Sequence, residues 1–217
     1  MSEVRDELVA QGAHLAGLGL SPGSSGNLSA RDGDRILMTP TGADLASLSP
    51  DALSELSPDG RHLTGPRPSK EFPLHTAFYR RDPSLGAVVH LHSRNATAAS
   101  CLPAWSERSA IPPLTPYFLM RVGQTPLIPY APPGDAAQAV GLERLPFPFH
   151  AVLLQNHGPV AAATSLTAAA EAAVELEEVS ALHVLLHRAG PRLLEPPEIA
   201  ALTQRYGTHW DGSPTDH

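Results

Sequence analysis

The chain has 217 residues, of which 42% are hydrophobic and 17% are charged, and its formal net charge at pH 7 is -7. A chain of this length and hydrophobic content can bury one substantial core, so we expect a single domain over residues 1–217. The acidic balance makes nucleic acid a poor candidate partner, because binding to a phosphate backbone depends on Lys and Arg.

The cysteine content and the hydropathy pattern indicate the compartment. Cys101 is the only cysteine, so no internal disulfide can form, and the chain does not open with a basic segment followed by an apolar one. No run of about 18 uncharged apolar residues occurs, so we expect no membrane span and no membrane partner. We therefore expect a cytoplasmic protein.

The first 50 residues predict a helix followed by short strands. Val4, Leu8 and Leu15 stand at roughly helical spacing, with charged residues between the first of them, which predicts a surface helix. After residue 20, small residues and turn formers interrupt short apolar runs such as Arg35–Met38. That pattern predicts strands joined by tight loops.

A helix and a buried strand are predicted next. Residues 69–81 favour a helix that Ser69 caps and that has Glu71 in its first turn; Pro73 is compatible with it only near the helix start. The segment GAVVHLHS, residues 86–93, is β-branched and apolar, which predicts a buried strand. The alanine-rich run that follows favours a short helix.

The second half begins with a proline-dense segment, residues 102–135, whose periodicity is weak. We expect strands there near Tyr117–Val122 and Thr125–Ile128. Further on, AVLLQ and PVAAA are separated by the polar turn NHG at residues 156–158. This pattern predicts two strands joined by a turn that carries His157.

A long helix and a polar tail complete the chain. The helix is expected to begin at a cap formed by Ser165 or Thr167 and to stop at Gly190, which a proline follows. The tail from about residue 207 has few apolar residues to bury. We expect it to be flexible unless a neighbouring subunit orders it.

Three histidines form a candidate metal site. His90 and His92 are two residues apart, and on a strand this spacing points both imidazoles to one face. A third imidazole from the turn, His157, would complete three ligands and leave a coordination position open, as in catalytic zinc sites. Manganese, cobalt or iron would also suit these ligands. Spacing alone leaves the alternative that each is an ordinary hydrogen-bonded histidine.

Glu71 and several small or polar residues are further candidates. Taken alone, Glu71 can be a carboxylate that the helix dipole stabilises. Other segments supply small residues, hydroxyls, a cation and backbone N–H groups of the kind that bind phosphate, although each also fits an ordinary turn or cap. These phosphate-binding candidates are Gly26, Asn27, Thr41, Gly42, Ser69 and Lys70.

The order of these segments carries more information than any one of them. SSGNLSAR, MTPTG, PSKE, VVHLHS and NHGPVAA, followed by a long acidic helix, resemble the class II aldolase/adducin family up to about Gly190. The resemblance implies a three-layer α/β/α sandwich around a largely antiparallel central sheet and a cyclic homotetramer with active sites at subunit interfaces. It also implies one zinc ion on His90, His92 and His157, a general acid/base at Glu71, and a substrate phosphate surrounded by Gly26, Asn27, Thr41, Gly42 and Ser69.

Two segments resemble one branch of this family. PSKEFPLH and the proline-rich IPPLTPYFLMRVGQTPLIPYAPPGD are similar to the 3-oxo-tetronate 4-phosphate decarboxylases more than to the fuculose phosphate aldolases. The branch implies loss of carbon dioxide from a four-carbon β-keto sugar acid phosphate, which gives dihydroxyacetone phosphate. Lys70 stands where the aldolases usually have a second serine, and its charge could attract the carboxylate or the phosphate. A sugar-phosphate aldolase, a phosphosugar dehydratase and a non-catalytic scaffold like the adducin head stay open as alternatives.

Overall fold

The computed structural model describes residues 3–213, in which eight strands form one sheet and seven α-helices accompany it. The strands are β1 (Asn27–Asp32), β2 (Arg35–Met38), β3 (Ser54–Leu56), β4 (His62–Thr64), β5 (Ala87–His90), β6 (Leu127–Ile128), β7 (Ala151–Leu154) and β8 (Gly158–Ala163). The helices are α1 (Glu3–Gly17), α2 (Phe72–Arg81), α3 (Arg94–Ala99), α4 (Pro116–Arg121), α5 (Ala136–Glu143), α6 (Leu166–Leu186) and α7 (Pro196–Tyr206).

The strand order is β4-β3-β2-β1-β5-β8-β7-β6, and β6 and β7 form the parallel pair in an otherwise antiparallel sheet. Asn27 pairs with His90, and His90 pairs with Val160. The start of β1, the end of β5 and the start of β8 therefore lie side by side at one end of the sheet. The prediction of a largely antiparallel central sheet is confirmed.

Alternating side chains of the sheet build two separate cores. On β5, Ala87 and Val89 belong to the core that includes Leu8 of α1 and Leu176 of α6, whereas Val88 belongs to the other. The second core includes residues of α2 and α5. This division follows from the two-residue period of a strand, which sends successive side chains to opposite faces. The predicted three-layer α/β/α sandwich is confirmed.

Helix α6 anchors the segment that carries two of the candidate histidines. Its start matches the prediction, since Ser165 accepts a hydrogen bond from the Ala168 N–H. Farther along, the buried carboxylate of Glu177 accepts hydrogen bonds from the N–H groups of Asn95 and Ala96. These N–H groups lie in the first turn of α3 and have no acceptor within that helix. By accepting from them, α6 fixes the segment directly after the His-Leu-His sequence.

Two boundaries differ from the prediction at the site. Helix α2 begins at Phe72, so Glu71 is its N-cap residue and does not lie in its first turn. The Ser69 hydroxyl accepts a hydrogen bond from the Glu71 N–H at 3.3 Å, which holds this turn. Strand β5 ends at His90, and His92 lies in the loop beyond it.

The prediction of a strand at Tyr117–Val122 is wrong, because most of this segment is helix α4. Thr115 accepts a hydrogen bond from the Phe118 N–H, and Pro116 occupies the first turn, where its missing N–H costs nothing. Of the strand expected at Thr125–Ile128, the last two residues form β6. Among residues 3–213, no helix is both long and apolar enough to cross a bilayer.

The start of the C-terminal tail contacts the body of the domain, and the flexibility expected from about residue 207 stays a prediction. The Thr208 hydroxyl donates to the Leu119 carbonyl. The Trp210 ring lies 5.7 Å from that of Trp105 and 6.0 Å from that of Phe118, measured between centroids. Aromatic burial thus compensates for the polar composition. Residues 214–217 lie outside the described residues.

Candidate metal centre and active site

His90, His92 and His157, here called the histidine cluster, converge at the end of the sheet defined by the start of β1. The His92 Nε2 atom lies 3.1 Å from the Nε2 of His90 and 3.1 Å from the Nε2 of His157. His90 ends β5, and His157 lies in the turn between β7 and β8. His157 comes 65 positions after His92 in the sequence. The three imidazoles predicted from spacing are brought together.

Glu71, the residue before α2, joins the histidine cluster. Its Oε2 lies 3.3 Å from the His90 Nε2, and its Oε1 lies 3.4 Å from the His157 Nε2. One ligand atom from each of the four residues falls within 4.8 Å of the others. The carboxylate is buried, and Glu71 is the N-cap residue of α2.

Burial makes the cluster a set of neutral imidazoles. It lowers the pKa of His90 to about 4, against a smaller opposing effect of Glu71, and it also lowers the pKa values of His92 and His157. The Nδ1–H of His90 donates to the Pro159 carbonyl at 2.9 Å, so the Nε2 atom of the neutral ring carries a lone pair. That lone pair points into the cluster.

The pKa of Glu71 falls below its ordinary value. Burial alone would raise this pKa, but the electrostatic effect of His90, the hydrogen bond from Asn27 and the electrostatic effects of His157 and His75 together lower it. The surrounding groups thus outweigh the effect of burial. Glu71 is therefore ionised at neutral pH in the absence of substrate.

These residues fit a divalent transition metal. Lone pairs that face one another repel unless a proton or a cation lies between them, and the buried Oε1 of Glu71, which lies 3.4 Å from the His157 Nε2, has no hydrogen-bond partner among the described residues. Three imidazole nitrogens held at about 2.1 Å from one zinc ion in a tetrahedral arrangement would be about 3.4 Å apart, close to the spacing in the cluster. Imidazole and carboxylate are donors that zinc and its neighbours accept.

The candidates Gly26 and Asn27 lie directly against the cluster. The backbone of Gly26 is left-handed, with φ of 78°, and a Cβ there would stand 2.9 Å from the His90 carbonyl oxygen. Only glycine combines this conformation with such close approach. Asn27 donates from Nδ2 to the Glu71 Oε2 at 2.8 Å, so it contacts the candidate acid/base directly.

Thr41, Gly42 and Ser69 belong to two adjoining segments at the same end of the sheet. The Thr41 N–H donates to the Arg67 carbonyl at 3.0 Å, and the Ser69 N–H donates to the Thr39 carbonyl at 3.2 Å. The loop after β2, which contains Gly42, therefore runs beside the segment that leads into Glu71. Their role in holding phosphate stays a prediction.

Lys70 is exposed, unlike its buried neighbours Ser69 and Glu71. Its charge adds to the effect of burial in lowering the pKa of His92 and of His157. Its aliphatic stem lies beside Gly134, where a Cβ would come within 3.1 Å of it. The proline-rich loop before α5 thus borders the site.

Sequence reasoning missed the buried polar groups behind Glu71. Asn27 connects the carboxylate to His75, and His75 connects to Ser29 and then Tyr79. A signal was available, because His75 and Tyr79 are four residues apart on a helix and Asn27 and Ser29 are two apart on a strand, so each pair shares a face. Nothing in the sequence states that these two faces meet.

Comparisons with known proteins agree with this geometry. The family described as the class II aldolase and adducin N-terminal domain matches residues 6–184. A 3-oxo-tetronate 4-phosphate decarboxylase of Pectobacterium atrosepticum is 44% identical over 200 residues, which cover 92% of each chain. An L-fuculose phosphate aldolase of Escherichia coli is 33% identical over 196 residues, or 88% of each chain.

The fold agrees equally well. The crystal structure of YgbL from Escherichia coli is similar with a TM-score of 0.87 and 42% identity, and the match covers 92% of this chain and 97% of that one. The family match extends from α1 almost to the end of α6 and so contains the histidine cluster and Glu71. The chain belongs to the class II aldolase and adducin N-terminal domain family.

Proposed function

We propose that this chain is a metal-dependent carbon–carbon lyase that decarboxylates 3-oxo-tetronate 4-phosphate to dihydroxyacetone phosphate and carbon dioxide. The observation that carries the proposal is the 44% identity to decarboxylases of this name, against 33% to a fuculose phosphate aldolase, over nearly the whole chain. The convergence of His90, His92, His157 and Glu71 supports a working lyase over a non-catalytic scaffold.

The reaction sets two demands on the site. When the C1–C2 bond of a β-keto acid breaks, the bonding electron pair stays on C2 and is delocalised into the C3 ketone as an enediolate. A proton must then be added at C2 to give the product. A divalent cation on the histidine cluster supplies Lewis-acid stabilisation of that negative charge when it is bound. We assign zinc to this position, since three imidazoles and an open position suit it.

Glu71 is the group that delivers the proton. It is ionised before substrate binds, because the hydrogen bond and the charges around it lower its pKa. The carboxylate and the phosphate of the substrate bring like charge to the site, which raises the pKa of Glu71. Glu71 then takes up a proton from solvent and gives it to C2 after the C1–C2 bond has broken. The buried Oε1, which accepts no hydrogen bond from the described residues, is the oxygen left for the substrate.

Lys70 and the surrounding backbone bind the anionic ends of the substrate. The exposed ammonium group of Lys70 attracts the carboxylate or the phosphate as a point charge. Small residues and hydroxyls surround the phosphate and offer N–H groups and room for close approach. In this proposal they are Gly26, Asn27, Thr41, Gly42 and Ser69.

We extend the proposal to assembly and location. The family resemblance implies a homotetramer with active sites at subunit boundaries. Two large aromatic side chains are strongly exposed in the single chain, Tyr117 at 57% and Tyr130 at 61%, which supports burial by a neighbour. Light scattering of the purified protein should give four times the subunit mass. The cytoplasmic location stays a prediction.

A product assay tests the reaction. The purified, zinc-loaded enzyme is incubated with 3-oxo-tetronate 4-phosphate, and released carbon dioxide and dihydroxyacetone phosphate are measured in equal amounts. The same preparation is offered fuculose phosphate. Equimolar carbon dioxide with little aldehyde supports the decarboxylase. Cleavage of fuculose phosphate without carbon dioxide release would establish the aldolase instead, and a keto product with all its carbons would establish a dehydratase.

A further inference from the structure

A line of hydrogen bonds runs through the protein interior and ends on Glu71. The Tyr79 hydroxyl lies 2.9 Å from the Ser29 Oγ, which lies 2.8 Å from the His75 Nδ1. The His75 Nε2 lies 2.6 Å from the Asn27 Oδ1, and the Asn27 Nδ2 lies 2.8 Å from the Glu71 Oε2. We call these residues, from Tyr79 to Asn27, the buried polar chain.

The chemistry of each group fixes the direction of these hydrogen bonds. Asn27 presents its NH₂ group to the Glu71 Oε2 and its carbonyl oxygen to the His75 Nε2. His75 therefore donates from Nε2, and its Nδ1, bare in the neutral ring, accepts from the Ser29 hydroxyl. Ser29 in turn accepts from Tyr79. Every donor points towards Glu71.

Burial keeps the chain in this arrangement. Its members are between 0% and 4% exposed, and no water is needed to satisfy any of them. Burial lowers the pKa of His75 to about 3, with a further lowering by His90 and a smaller opposing effect of Glu71, so the ring is neutral. Burial also raises the pKa of Tyr79, which therefore keeps its proton. A fully satisfied buried network of this kind holds its members in one orientation.

The far end of the chain is itself fixed. The Arg31 guanidinium lies over the Tyr79 ring at 4.7 Å from its centroid, and it donates to the Tyr79 carbonyl at 3.2 Å and to the Leu85 carbonyl at 3.0 Å. The ring cannot rotate away without losing these contacts. The buried polar chain is thus held at Tyr79 by the contacts of Arg31 and ends at the Glu71 carboxylate.

We infer that His75, Ser29 and Tyr79 are positioning residues: they lock the Asn27 amide so that it donates to the Glu71 Oε2 and leaves Oε1 facing the substrate. The inference rests on the proposed role of Glu71. Asn27 carries the effect to the carboxylate, and an amide free to flip would present its oxygen to Glu71 instead. Misplacement of a reacting group by about 1 Å can cost about 10²-fold in rate.

Graded variants test the inference through kcat. Tyr79→Phe and Ser29→Ala remove one hydroxyl each and should lower kcat about threefold to tenfold, and His75→Leu should lower it about 10²-fold. His75→Gln, which keeps an N–H donor towards Asn27, should recover part of that loss. In all of them the bound metal should stay at the wild-type value, because the histidine cluster is unchanged, and KM should change less than kcat, because Asn27 is the one phosphate candidate whose side chain is affected.

Thr76→Val is the matched control. Thr76 is a buried neighbour of His75 on α2, and its hydroxyl bonds the Pro73 carbonyl at 3.0 Å, outside the chain. Its loss should lower stability as much as Tyr79→Phe does and leave kcat unchanged. Wild-type kcat in folded Tyr79→Phe, Ser29→Ala and His75→Leu would overturn the inference. So would metal loss in proportion to the loss of activity.

A spectroscopic measurement needs no substrate. The ¹⁵N shifts of the His75 ring in the wild-type protein should show a protonated Nε2 and a bare Nδ1 between pH 6 and 8. A protonated Nδ1 would reverse the chain and overturn the inference. Because this result does not depend on turnover, it separates a failure of the chain from a failure of the proposed decarboxylation.

Discussion

Histidines gather at both ends of the central sheet, but in different ways. At one end the Nε2 atoms of the histidine cluster face one another at 3.1 Å beside the Glu71 carboxylate. At the other end His150, just before β7, lies 5.8 Å from His209 between ring centroids. Its pKa is lowered by burial and by His209 and raised by Asp82. Within residues 3–213, only the first group brings three or more ligand atoms together.

The difference shows which property marks a metal site. Proximity of two imidazoles occurs at both ends and indicates little. What distinguishes the histidine cluster is that lone pairs from three rings converge where no proton donor satisfies them all. Facing lone pairs raise the free energy of the folded state when no cation lies between them, and a bound cation lowers it.

Replacing one histidine at each end gives the largest expected contrast. His92→Ala should abolish metal binding and lower kcat/KM about 10⁴-fold, because Lewis-acid stabilisation contributes several kcal/mol. His92 is chosen because it lies in a loop and is partly exposed, so the fold should survive. His150→Ala, the control, should keep both metal and activity. Equal effects of the two variants would refute the distinction drawn between the two ends.

Replacing Glu71 separates proton transfer from metal binding. Glu71→Gln should lower kcat about 10³-fold, which is within the range for loss of a general acid, while metal content stays near wild type. Glu55→Gln is a suitable control, since Glu55 is a buried carboxylate paired with Arg5 and Arg35 away from the cluster. It should affect stability and leave kcat unchanged. A Glu71→Gln enzyme with wild-type kcat would exclude Glu71 as the acid.

Removal of the metal should lower the free energy of unfolding, an effect smaller than the losses of activity expected for His92→Ala and Glu71→Gln. A cation present at about 100 times its dissociation constant adds about 3 kcal/mol to the free energy of unfolding, and a chelator removes it. Denaturant titrations with and without chelator should show this difference in the wild type and in His150→Ala. His92→Ala should show none. A wild-type protein whose free energy of unfolding does not change with chelator would support a non-catalytic scaffold.

The pH dependence of the metal-free protein gives the smallest effect. His75 has a pKa of about 3 in the fold against 6.5 ordinarily, so the unfolded chain binds a proton that the folded chain excludes. Its contribution to stability is full above pH 6.5 and is lost as the pH falls towards 3. At pH 5 the loss is about 2 kcal/mol. His75→Gln should show a flatter profile in denaturant titrations, and an unchanged slope would contradict the buried neutral state.

The fold and the main site could be predicted from the sequence because their signals lie in short segments and in the order of those segments along the chain. Small residues, apolar strands and the His-Leu-His and Asn-His-Gly segments occur in an order that resembles one family. Local reasoning failed at Tyr117–Val122, where β-prone side chains were read as a strand. The cap formed by Thr115 and Pro116 at the helix start outweighs that preference.

Other features depend on tertiary contacts that no local pattern contains. The two-residue period was expected to place His90 and His92 on one strand, yet the strand ends at His90 and the loop returns His92 to the same point. The direction of the Glu71 pKa shift depends on Asn27 and the imidazoles, which lower this pKa although burial raises it. The buried polar chain exists only because α2 lies across the face of β1 that carries Ser29.

X-ray absorption at the metal edge of the purified wild-type protein tests the central claim most directly. The account predicts one divalent ion per subunit with three imidazole nitrogens at about 2.0–2.1 Å, and no such signal in His92→Ala. A protein without bound metal, or one whose metal signal persists in His92→Ala and disappears in His150→Ala, would contradict it.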